Sequence, residues 1–86
     1  MDKLKRGTQI AYVPTHAKGD LYHPDVQYGF VTSGPGLDTY FCRYWSKHHE
    51  KELRTKANSE CTPVNCLRVI DTQSQELIEE MLEKYC

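Results

Sequence analysis

The C-terminal stretch constrains this chain most. Leu77, Ile78, Met81, Leu82 and Tyr85 fall at offsets 0, 1, 4, 5 and 8, which is the single apolar stripe of an amphipathic helix. Glu76, Glu79, Glu80 and Glu83 occupy the rest of that surface. Thr72 and Gln75 have the T-x-x-Q spacing of a capping box, so the pattern predicts a helix over 72–86. An apolar stripe must pack on something. The choices are an open end of a sheet built by the preceding residues, a partner protein, or a second copy of this chain, which would make a homodimer through the helix.

The preceding residues read as short strands. Residues 7–14 alternate, with Ile10 and Tyr12 on one face and Ala11 and Val13 on the other. Pro14 ends the run because proline cannot donate to a ladder. Residues 15–25 form a polar loop containing Gly19, Pro24, two His and two Asp. A second strand covers 26–33, where Gly29 marks a bend or a close backbone approach. Gly34-Pro35-Gly36-Leu37-Asp38 is a turn by composition, and a third strand at 39–45 completes a hairpin. In that third strand Tyr40, Cys42 and Tyr44 share one face, and Phe41, Arg43 and Trp45 share the other. Residues 46–56 are charged and hold one apolar residue, Leu53, so an exposed excursion is expected. A weak strand is expected at 55–60. Thr62-Pro63 has the pattern of a cap followed by a first-turn proline, predicting a 3₁₀ turn over 64–66 before a last strand at 67–70.

With 86 residues, the chain has room for one hydrophobic core and one domain, residues 1–86. The expected class is mainly β, a body over 7–71 followed by the helix. Hydrophobic residues make up 38% and charged residues 27%, too apolar for a disordered chain. Apolar runs are too short for a membrane span. The charged start, Lys3, Lys5 and Arg6, has no apolar stretch behind it to make a secretory signal. A cytoplasmic location and reduced cysteines are therefore expected. Cys42, Cys61, Cys66 and Cys86 lack the paired short spacing of a zinc site, and Cys86 is expected to be exposed.

About five short strands, a long loop after the first, a hairpin between the second and third, and one 3₁₀ turn before the last resemble an SH3-like small barrel. Residues 7–71 also resemble small uncharacterised proteins encoded by bacteriophages, prophages and bacteria. The likeness is carried by Tyr12-Val13-Pro14-x-His16-Ala17-x-Gly19-Asp20, His23-Pro24-Asp25, Gly29-Phe30-Val31-Thr32-Ser33 and Arg43-Tyr44-Trp45. It implies a fold and a phage-type setting, and no activity.

Three function classes compete. For an enzyme, His16, Asp20, His23 and Asp25 are the one constellation with suitable chemistry. Asp in turns ordinarily caps its own backbone, so no catalytic role, metal or cofactor is expected of them. For nucleic acid, residues 1–70 carry a net charge of +3 and residues 71–86 carry −4. Arg43, Lys47, Lys51, Arg54 and Lys56 lie near Tyr44 and Trp45, and cations beside aromatics can hold single strands. An isoelectric point near 6.4 is unlike a dedicated binder. For protein recognition, Phe41, Arg43 and Trp45, with Phe30 beside them on the second strand, are residue types of interface hot spots. A buried guanidinium would need a partner, so Arg43 is expected to face outward, and Phe41 and Trp45 follow by parity. That row is open to solvent, covered by the helix, or reserved for a partner. The leading expectation is a non-enzymatic module that binds a host or phage protein through Phe30, Phe41, Arg43, Trp45 and the His16, Asp20, His23, Asp25 loop. Counter-defence inhibition is one form it could take.

Overall fold

A computed structural model describes residues 4–33, 38–47, 52–54 and 59–85. Five strands occur in it: β1 (Gln9–Tyr12), β2 (Gln27–Ser33), β3 (Thr39–Tyr44), β4 (Glu60–Pro63) and β5 (Leu67–Val69). Short 3₁₀ turns cover Thr15–Ala17 and Val64–Cys66, and one helix, α1, covers Gln75–Tyr85. All neighbouring strands are antiparallel, in the order β4-β3-β2-β1-β5.

The sheet is open, since β4 and β5 are its two edges. Those edges are nonetheless consecutive in the chain, joined only by Val64–Cys66. A flat five-stranded sheet would separate its edges by about 19 Å. A three-residue 3₁₀ turn advances about 6 Å. The sheet must therefore coil strongly to bring the ends of its edges together.

Local chemistry explains most element boundaries. Backbone bonds from Gly7 N to Val31 O and from Val13 N to Cys66 O continue the pairing beyond β1, which is why the alternating pattern runs over 7–14. Gly29 packs so closely against β3 that an added Cβ would lie 2.0 Å from the Arg43 carbonyl oxygen, so the expected close approach is present. The register between β2 and β3 shifts between Val31 and Ser33. Thr32 is the extra residue, and its hydroxyl donates to Phe41 O at 3.0 Å, as expected at a bulge that re-aims a side chain.

The fourth strand lies later than the weak candidate at 55–60. Residues 55–58 are outside the described residues, and pairing with β3 runs from Glu60 to Pro63. Thr62 does not cap the 3₁₀ turn. It sits in β4, and its hydroxyl lies 2.6 Å from the buried Tyr44 hydroxyl. Pro63 is accommodated because β4 is an edge strand. Leu53, expected in an exposed excursion, is buried: Trp45 bridges to Leu53 and Ser46 N donates to Glu52 O, folding 52–54 back against the end of β3.

Three apolar clusters result. Ile10, Val31, Tyr40, Cys42, Tyr44 and Leu67 fill one face of the coiled sheet, as alternation in the third strand predicts. Ala11, Val13, Ala17 and Val26 join the long loop to β1. Phe30, Leu53, Ile78 and Met81 join α1 to the other face of β2 and β3.

The helix begins later than the T-x-x-Q spacing suggests. Ser74 is the cap, accepting from Leu77 N at 3.3 Å. Thr72 and Gln73 are held instead by Gln9, a buried side chain on β1. Its Oε1 accepts from Thr72 N at 3.1 Å and Gln73 N at 2.8 Å, and its Nε2 donates to Gln73 O at 2.8 Å. No helix among the described residues is long and apolar enough to cross a membrane.

Candidate functional site

The helix decides the fate of the Phe41, Arg43, Trp45 row. Phe30 is fully buried and Arg43 is 6% exposed, so neither forms a free surface. Both lie under α1 because Phe30 pairs opposite Arg43 and the apolar stripe of the helix rests there. The outward orientation expected for Arg43 assumed that its partner must be a carboxylate. Among its contacts, its Nη2 donates to Tyr85 O at 2.9 Å, and the guanidinium lies 5.8 Å from the centre of the Tyr85 ring. Carbonyls at a helix C-terminus carry partial negative charge and suit a cation. Of the choices open to the apolar stripe, the chain's own sheet is the one it packs on.

Phe41 is exposed, stands about 13 Å along the strand from Trp45, and is not among the residues packed with α1. Trp45 packs on Phe30 with ring centres 5.6 Å apart and keeps one side open. Two grooves meet at Trp45, Ser46 and Lys47. One, of about 460 Å³, is lined by Tyr12, Pro14, Gln27 and Arg54, with His16 and Asp25 at its loop side. The other, of about 340 Å³, continues toward Tyr28, Thr72 and Gln73. Tyr12, Pro14, Gln27, Tyr28, Thr72 and Gln73 are not among the site residues that the sequence suggests. The one available signal was Tyr12 at the end of a strand, directly before the proline-led loop.

The long loop is tied down by its own backbone. Asp20 N donates to Ala17 O, His23 N to Asp20 O, and Val26 N to His23 O. Lys18 and Gly19 take positive φ to make the first bend. Asp20 caps a turn, accepting from Tyr22 N at 2.9 Å. Asp25 does not cap its own backbone: its Oδ2 lies 2.7 Å from His16 Nε2. Hydrogen bonding from His16 holds the Asp25 carboxyl below the usual range, aided by the charges of His16, His23 and Lys47. The His16 and His23 rings meet edge to face, with centres 5.2 Å apart. His23 Nδ1 accepts from Asp25 N at 3.0 Å. One ligand atom from each of His16, His23 and Asp25 lies within 4.8 Å of the others.

The basic residues are differently placed. Arg54 donates to both Glu60 carboxylate oxygens at 3.0 and 2.9 Å and lies 5.8 Å from the Tyr44 ring centre. Lys47 Nζ donates to Pro24 O, linking the loop to the end of β3. Lys51 and Lys56 lie outside the described residues. Cys42, Cys61 and Cys66 are free thiols. Burial pushes the Cys42 thiol up to about 11 and raises the Tyr44 phenol as well. Cys86 also lies outside the described residues. Comparison of this chain with protein-family models, curated proteins and solved structures finds no match.

Proposed function

We propose that the chain is a non-enzymatic protein-interaction module of SH3-like architecture, taking an extended segment of a partner along the two grooves that meet at Trp45. The architecture is supported by the strand order β4-β3-β2-β1-β5 and by the 3₁₀ turn between the edge strands. The single observation that carries the binding site is the sharing of Trp45, Ser46 and Lys47 by both grooves. With them run the aromatic rings of Tyr12 and Tyr28, beside the cation of Lys47. Large aromatics beside cations are the residues that carry binding energy at interfaces. The likeness to phage and prophage proteins makes a host protein the expected partner, and inhibition of a host or defence component the expected outcome.

Single-stranded nucleic acid is the second reading, favoured by the same aromatics beside Lys47. It has less support, because Arg43 lies under the helix and Arg54 is paired with Glu60. A displayed library of extended peptides, selected on the immobilised chain, separates the readings. Selected peptides should shift the emission of Trp45, the one tryptophan, and lose about tenfold or more in affinity to Lys47→Glu. Absence of any selected peptide, with tight binding of an oligonucleotide that weakens steeply with salt, would replace the first reading by the second.

A further inference from the structure

We propose that His16, His23 and Asp25 form a three-ligand site for a first-row divalent cation of the zinc class, at the loop side of the Trp45 groove. The inference stands apart from the peptide reading and needs no partner. Two imidazoles and one carboxylate are a nitrogen and oxygen donor set suited to zinc, cobalt or nickel. One ligand atom from each already lies within 4.8 Å of the others.

The loop does not need this cluster to hold its shape. Three successive backbone bonds span Ala17 to Val26, and Ala17 and Val26 are anchored in an apolar cluster with Ala11 and Val13. The His16 and Asp25 side chains are 62% and 60% exposed, and an ion pair so open to water adds little stability. The convergence of three ligand-type side chains is thus a property of the loop beyond its folding requirements.

The geometry needs a small adjustment. His16 Nε2 and Asp25 Oδ2 are 2.7 Å apart, separated by a proton that the cation replaces. Ligands at about 2.0–2.1 Å in a tetrahedral shell stand about 3.3 Å from one another, so this pair opens slightly and His23 moves inward. His23 Nδ1 accepts from Asp25 N, so its Nε2 can coordinate with that bond kept, whereas coordination through Nδ1 exchanges it for a coordination bond. Lys47 Nζ is directed at Pro24 O, leaving the carboxylate to His16. Bound metal would bolt the first bend of the loop to the last, and its fourth position would open to water.

The test is a Co²⁺ titration of the full chain with reduced thiols near neutral pH, read by visible absorbance and by competition with Zn²⁺. One equivalent should bind without a near-ultraviolet thiolate-to-cobalt band. Affinity should fall at least about tenfold in His16→Ala and in Asp25→Asn. It should be unchanged in the Cys61→Ser, Cys66→Ser double variant and in a His48→Ala, His49→Ala double variant, which removes the other two histidines of the chain. In the unmodified chain, Co²⁺ should broaden the His16 and His23 imidazole proton resonances first, a readout independent of any variant's folding. Failure to bind, equal affinity in the His16 and Asp25 variants, a thiolate band, or broadening centred elsewhere overturns the proposal.

Discussion

Arg43 Nη2 donates to the carbonyl oxygen of Tyr85 at 2.9 Å, across 42 residues of chain. A strand residue thus holds the last turn of the helix, and Arg6 adds a second donor one turn earlier, to Leu82 O at 3.3 Å. Arg43→Ala should cost at least about 1.5–3 kcal/mol, the range for hydrogen bonds made by a charged group. Urea denaturation measures it, and loss of helical circular dichroism before global unfolding would identify the helix as the part released.

Gln9 is the counterpart at the other end of α1. Gln9→Ala leaves the groups of Thr72 and Gln73 without its three bonds and should cost about 1–3 kcal/mol. Gln9→Glu should also destabilise at neutral pH, because a carboxylate cannot donate to Gln73 O. Equal denaturation midpoints for the parent and Gln9→Ala would remove this role.

Ile78 is fully buried against Phe30 and Leu53. Ile78→Ala should lower stability by about 2–5 kcal/mol. Trp45 emission should shift to the red in the same variant, since Trp45 packs in that cluster.

Gly29→Ala would place a methyl 2.0 Å from a backbone oxygen of the adjacent strand. Backbone cannot step aside as a side-chain tip can, so a loss above about 3 kcal/mol is expected, or failure to fold. Recovery of a stable variant with an unchanged hydrogen-exchange pattern in β2 and β3 would contradict this close packing.

The cysteines should divide by reactivity. With its thiol pushed up from 9.0 to about 11, Cys42 is roughly a thousandth ionised at pH 8, against about a tenth for an ordinary thiol, and the thiolate is the reactive form. Iodoacetamide on the folded protein should label the exposed Cys61 and spare Cys42, as read by mass spectrometry. Stability linked to Cys42 is fully present below pH 9 and is lost as pH rises from 9 toward 11, because the unfolded thiol ionises first. A denaturation midpoint that rises across that interval would reverse the sign.

The third strand was legible because period two leaves a clear mark: Tyr40, Cys42 and Tyr44 alternate with Phe41, Arg43 and Trp45, and the first set lines the core; β4 was not, because Glu60, Cys61, Thr62 and Pro63 carry no such alternation. The helix was legible from its stripe. Which surface it covers was not, because Phe30 and Arg43 have the chemistry of an interface and become interior only once the stripe lies on them. One acceptor for Arg43 is the main-chain carbonyl of Tyr85, which no residue type advertises. The capping position departs from the Thr72 and Gln75 spacing because that spacing is local, whereas Gln9, which holds Thr72, is 63 residues away. The grooves leave no mark in the sequence for the same reason: Tyr12, Gln27, Trp45 and Gln73 meet only through the fold.

The short join between β4 and β5 also governs how this chain behaves toward its neighbours. Each edge of a sheet is a row of unsatisfied amides that can recruit another chain. Here the two rows begin at opposite ends of a single three-residue turn, so the curl of the sheet turns them toward one another and narrows the approach for a stranger. Glycines inserted beside Val64–Cys66 would relax that curl, splay the rows apart, and make the chain more prone to grow by strand addition.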